Sequence, residues 1–145
     1  MHWLVAAVCL FWCAFGSALS LAAETDEEVQ ARKNVLDLTG AFSNDGFKLR
    51  DGHWSGTIKP REPALIAVNL YAGNQYWFSA AADSKAKKIT VDLYDENGRA
   101  LTTETYNSGE KAAAGFSPTN SGQYFVSLGL IEGDPTTFCL VYSYK

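Results

Sequence analysis

Several functions are excluded by what the chain has little of. From Met1 to Ala23 there is no Asp, Glu, Lys or Arg; all 12 basic and all 16 acidic residues lie from Glu24 onward. Beyond that boundary there is one cysteine, Cys139, and one histidine, His53. A lone cysteine excludes an intramolecular disulfide in this part of the chain. Within Phe138-Cys139-Leu140-Val141 it reads as a small buried hydrophobe. One histidine and one cysteine cannot supply the three or four ligands that zinc needs. No Gly-x-Ser-x-Gly motif is present to pair a serine nucleophile with His53. A net charge of -4 argues against nucleic acid, which requires a basic face to replace phosphate counterions. No internal repeat, low-complexity tract or second hydrophobic run of membrane-spanning length occurs.

The uncharged first stretch, with Leu4-Val5-Ala6-Ala7-Val8-Cys9-Leu10-Phe11-Trp12 at its centre, ends in the small residues Ser17-Ala18-Leu19-Ser20-Leu21-Ala22-Ala23. That is the pattern of a cleavable export signal over residues 1–23, with Ala18-Leu19-Ser20 or Ser20-Leu21-Ala22 at the cleavage point. It places the protein in the periplasm or outside the cell, with no membrane contact after cleavage. The n-region departs from the pattern, since it has His2 but no Lys or Arg. The alternative is an uncleaved anchor over residues 3–23, a stretch that meets the roughly 20 residues a spanning helix requires.

Residues 24–43 read as a short helix or linker. Thr25 can cap it, Glu28 completes a capping box, and Asp26 and Glu27 suit the positive end of the helix dipole. Its apolar positions are Val29, Val35 and Leu36, and it is expected to end near Asp37, with Gly40 beyond.

Residues 44–145 read as a β-sandwich domain. Turn signals recur at short intervals, among them Asn44-Asp45-Gly46, Asp51-Gly52, Ala72-Gly73-Asn74, Glu96-Asn97-Gly98 and Glu132-Gly133-Asp134-Pro135. Between them lie alternating runs. Ile89, Val91 and Leu93 share one face; so do Val126, Leu128 and Leu130, and so do Phe138, Leu140, Tyr142 and Tyr144. Asp95-Glu96-Asn97-Gly98 is a hairpin turn expected to join Ile89–Tyr94 to Ala100–Tyr106. Ala80–Lys87 reads as a loop. The fold class is therefore all-β, an antiparallel jelly-roll-like sandwich with a short N-terminal helix.

The order of these motifs carries a resemblance. Ser55-Gly56-Thr57-Ile58 is followed by Val68-Asn69-Leu70-Tyr71-Ala72-Gly73-Asn74-Gln75-Tyr76-Trp77-Phe78, by Val91-Asp92-Leu93-Tyr94-Asp95-Glu96-Asn97-Gly98, and by Phe116-Ser117-Pro118-Thr119-Asn120-Ser121-Gly122-Gln123-Tyr124-Phe125-Val126. Over residues 51–145 this resembles a bacterial pre-peptidase C-terminal (PPC) domain. The resemblance implies a jelly-roll-like module of the kind appended to secreted proteases, with no catalytic residues to carry over. This sequence shows no protease domain beside it, a departure from the family's usual setting.

The aromatic residues are the candidates for function. An exposed planar ring can stack on the CH face of a sugar. Trp54 beside a glycine turn, and Tyr76 and Trp77, whose side chains point to opposite faces of a strand, are the candidate ligand-binding residues. Asp92, Asp95 and Asn97 are candidate cation ligands, although turn chemistry already accounts for Asp95 and Asn97 and no closing Glu completes a calcium loop. No cofactor is expected. The chain reads as an exported non-enzymatic module binding a protein or a polysaccharide. The alternatives are a structural subunit of an envelope or extracellular assembly and, more distantly, a hydrolase using His53.

Overall fold

A computed structural model describes residues 23–145. The expected export signal, apart from its last residue, lies outside the described residues. Among the described residues no helix is long and apolar enough to cross a membrane.

Helix α1, Asp26–Ser43, starts on the capping box read from the sequence. The Glu28 amide donates to Thr25 Oγ1 at 3.2 Å and the Thr25 amide donates to Glu28 Oε2 at 3.0 Å. The helix does not stop near Asp37 but continues through Gly40 to Ser43. Tertiary contact holds the last turns: Leu38 and Thr39 are buried, and the Phe42 ring stacks on Trp77. The buried stripe is Ala31, Val35, Leu38 and Thr39 at helical spacing, whereas Val29 and Leu36 are exposed.

Nine strands follow: β1 Lys48–Leu49, β2 Trp54–Ile58, β3 Ala64–Leu70, β4 Tyr76–Ala82, β5 Ala86–Tyr94, β6 Glu104–Ser108, β7 Lys111–Phe116, β8 Gly122–Gly133 and β9 Thr136–Tyr144. They form two antiparallel sheets. The larger has the order β1-β9-β4-β7-β6, with β2 continuing the β1 side of β9; the smaller has the order β3-β8-β5. The core lies between them. Ile89, Val91 and Leu93 of β5 and Val126, Leu128 and Leu130 of β8 face Phe78, Phe138 and Leu140 of the larger sheet, as the alternation predicts.

The central strands of the larger sheet, β4, β7 and β9, are buried on both faces. The outer face of the sheet carries Ala81, Cys139 and Val141 against Ala31 and Val35 of α1. This double burial explains a departure from the sequence reading: Ala80, Ala81 and Ala82 are not loop but the fully buried end of β4. Small side chains fit where a sheet is packed on one side and a helix lies close on the other. Asn34 Nδ2 fixes the helix there by donating to the Ala82 carbonyl at 3.1 Å.

The Asp95–Gly98 turn forms, with Asp95 Oδ1 accepting from the amides of Asn97 and Arg99, each at 2.9 Å. The expected hairpin is cut short beyond it, reaching only the Leu101 amide, which donates to the Leu93 carbonyl at 2.9 Å. Tyr94 bridges Ala100, and the chain then crosses to the larger sheet, where β6 pairs with β7. Beside this turn the Tyr124 hydroxyl donates to the Asn120 carbonyl at 2.6 Å, which pins the turn before β8.

Candidate functional site

Trp54 and Trp77 lie on opposite faces of the larger sheet. Along β9, Trp54 pairs with Leu140 on the core side, and Trp77 pairs with Ser143 on the helix side. No one ligand face can hold both.

Trp77 is half-buried and its indole is already partnered. Phe42 stacks on it at 4.5 Å between ring centroids with 17° between planes, and Gly115 of β7 lies against its six-membered ring. A cleft of about 330 Å³ opens beside it, lined by Phe47, Gln75, Thr102, Thr103 and Glu104 among others. Tyr76 points into the core and is 4% exposed. Its hydroxyl accepts from the Tyr71 amide at 2.9 Å and from Asn74 Nδ2 at 3.1 Å. Its ring is enclosed and its hydroxyl is used in shaping the β3–β4 turn, so it leaves the set of ligand-contacting residues.

Trp54 sits at the open edge of the sandwich, where the edge strand is interrupted. β1 and β2 both pair with β9, and residues 50–53 loop out between them. Gly52, at φ +91°, makes the reversal that other residues resist. The Arg50 amide donates to the Tyr142 carbonyl at 3.0 Å and so anchors the start of this loop. A cleft of about 370 Å³ results, lined by Arg50, Trp54, Asn69, Tyr71 and Tyr142 with Ala67 and Val68. Trp54 and Tyr142 stack at 5.9 Å, with 18° between their planes. The Arg50 guanidinium lies 5.7 Å from the Trp54 ring centroid and 5.1 Å from that of Tyr142. Tyr71 is 63% exposed at the rim. Burial raises the Tyr142 pKa, and the Arg50 charge partly offsets this, so the phenol is held neutral and is a hydrogen-bonding group at neutral pH.

Arg50 belongs to none of the motifs in the sequence, and Asn69 lies in one, Val68–Phe78, that gives it no ligand role. Each owes its place to residues distant in the chain, and nothing in its neighbours marks it. Tyr71 and Tyr142 stand out only as two of many aromatics.

The remaining candidates fall apart in space or are accounted for. Asp92 projects outward from the smaller sheet, opposite Ser127, while Asp95 is engaged by its own turn. Among the described residues no three His, Cys, Asp or Glu groups are arranged to hold a metal ion. His53 is exposed in a hollow of about 230 Å³ with Asp51, Arg32 and Leu36, and no serine lines it. Cys139 is fully buried, and burial raises its thiol pKa despite opposing help from the Ser55 hydroxyl, so it has little thiolate character.

Fold and site together define an antiparallel β-sandwich with one flanking helix and an aromatic cleft at its open edge. No protein-family model matches the chain, and no curated protein matches it. Among solved structures it is similar to one described as "CBM4 structure and function", at 22% identity over 70% of this chain and 78% of that one, with a TM-score of 0.39. A superposition at that level decides nothing about what this chain does.

Proposed function

We propose that this protein is an exported, non-catalytic binding module that holds a glycan in the cleft of Arg50, Trp54, Asn69, Tyr71 and Tyr142. The observation that carries the reading is the composition of that cleft. Three aromatic side chains and two hydrogen-bonding side chains converge at one open edge of the fold. Aromatic rings supply flat apolar surface for sugar CH groups, while amide and guanidinium donors meet hydroxyls. The uncharged residues before Glu24 support export. The motif order that resembles a PPC domain supports a module that accompanies chemistry done elsewhere.

The test is a glycan and polysaccharide array probed with the wild type, Tyr71→Ala, Trp54→Ala and Trp77→Ala. Specific binding lost in the first two variants and kept in the third is the expected result. Binding that depends on Trp77 alone would move the site to the helix-side cleft, and no binding to any glycan would end the reading.

A second reading, a subunit of an exported assembly, is favoured by a different observation. Among the described residues nothing covers the outer face of the smaller sheet, with Leu65 at 64% and Ile131 at 58% exposure. Co-purification of a stable partner, lost in Leu65→Glu but kept in Tyr71→Ala, would select it over the first.

A further inference from the structure

The aromatic cleft contains a single charge. Of the described residues that line it only Arg50 is ionised, and the neighbouring Asp51 lies instead in the adjoining hollow with His53. This occurs on a chain whose net charge is -4. The guanidinium lies against Trp54 and Tyr142, and its backbone amide is tied to β9 through the Tyr142 carbonyl. Among the described residues its side chain enters no ion pair and no hydrogen bond; the salt bridges there are Arg32–Glu24 and Lys85–Glu27. An arginine on a chain of net negative charge thus lies beside two aromatic rings, with its side-chain N–H donors free of protein acceptors among the described residues.

We infer that Arg50 selects an acidic sugar, so that the ligand is a glycan carrying uronic-acid residues. The inference rests on the glycan-binding reading above and narrows it. A guanidinium held beside two rings with its N–H groups free of protein acceptors can meet a carboxylate with two parallel N–H···O bonds. Trp54 and Tyr71 offer ring faces to the pyranose, and the Asn69 amide offers both donor and acceptor to its hydroxyls. One local positive charge on a negative molecule favours a carboxylate brought to one subsite. It does not favour a densely sulfated or phosphorylated polymer, which the net charge repels.

The experiment uses matched ligand pairs that differ only in charge. These are a glucuronic-acid-substituted xylo-oligosaccharide with its carboxyl-reduced form, and an oligogalacturonate with its methyl ester. Neutral xylo- and cello-oligosaccharides are included. Affinities are measured by calorimetry for the wild type, Arg50→Gln, Trp54→Ala and Tyr71→Ala, with far-UV circular dichroism to check folding. Tyr71 is exposed, so its variant tests the cleft without touching the core. At least one acidic member is expected to bind about tenfold tighter than its neutral counterpart, a preference that weakens with salt. Arg50→Gln should erase that ratio, weakening the acidic member about tenfold more than its neutral counterpart, and Tyr71→Ala should weaken both members alike. Wild-type affinities within twofold across both pairs, or a ratio that survives Arg50→Gln, would overturn the acidic assignment and leave the glycan reading standing. Failure of every member, charged and neutral, would overturn both.

Discussion

Trp77 lies against Gly115, its partner across the β4–β7 ladder, so closely that a Cβ at position 115 would stand 2.9 Å from indole Cε2 and Cζ2. Phe42, from the last turn of α1, stacks on the same indole. The helix end, the indole and the glycine form one packed unit on the outer face of the larger sheet. Gly115→Ala is expected to displace the indole and destabilise the fold by about 1–3 kcal/mol, as overpacking does. Chemical denaturation reads the loss, and a changed tryptophan emission in the native state reads the displacement. Emission and stability unchanged from wild type would show that the indole has room to shift.

Gly133 is a second glycine that the fold requires, for a different reason. Its φ is +129°, and a Cβ there would stand 2.6 Å from the Lys85 carbonyl oxygen and 2.9 Å from the Lys87 amide nitrogen. Both obstacles are backbone, at the irregular end of the β5–β8 ladder. Gly73 also has positive φ, +91°, but open space around it. Gly133→Ala should therefore cost about 2–4 kcal/mol and Gly73→Ala about 1 kcal/mol, the second being conformational strain alone. Equal midpoint shifts in urea for the two variants would refute the steric account.

Asp83 makes stability depend on pH. It is 3% exposed, and its two carboxylate oxygens accept from the Lys85 amide at 2.8 Å and the Thr137 amide at 3.0 Å. Burial raises its pKa, but these amides and the nearby Lys85 charge outweigh burial, and the net pKa lies below the ordinary 3.8. A depressed folded-state pKa gives stability that is fully present above the unfolded value. That stability is lost as pH falls below 3.8 and through the folded value. Asp83→Asn leaves one amide without its acceptor and should cost about 1.5–3 kcal/mol at pH 7. The difference between wild type and variant should shrink as pH drops below 4, when melting curves are compared in that range. A constant difference down to pH 2 would contradict the assignment.

Ser79 offers the opposite sign. It sits on the helix side of β4, fully buried, and among the described residues its hydroxyl has no hydrogen-bond partner. The neighbouring positions on that face of the sheet are Val141 and Ala113. Ser79→Ala removes the unmatched polar atom without enlarging any side chain and should stabilise by about 1 kcal/mol. A fall in melting temperature would mean that the hydroxyl is satisfied in solution.

Much of the fold was legible because its signals are local. The capping box at Thr25 and Glu28 and the Asp95–Gly98 turn depend on residues a few positions apart, and both form as the sequence implies. The inward faces of β5, β8 and β9 follow from strict alternation of side chains. Readings failed where a distant partner overrode local preference. Gly40 does not end the helix because Phe42 is held by Trp77, and Ala80–Ala82 stay in a strand because helix and sheet enclose them. The hairpin after Gly98 gives way to pairing between β6 and β7 in the other sheet.

The sequence by itself determined that this is an antiparallel β-sandwich rich in aromatics, with a capped helix before it. Alternation, turns and caps are nearest-neighbour properties, and they are written in consecutive residues. Only the tertiary structure decided which aromatics meet solvent and which other residues join them. It turned Tyr76 inward, covered Trp77 with Phe42, and gathered Arg50, Trp54, Asn69, Tyr71 and Tyr142 around one cleft. Those residues come from the two ends of the domain, and β9 is the strand that both edge segments pair with. The cleft is thus a product of sheet order, a long-range property that no short stretch of sequence encodes.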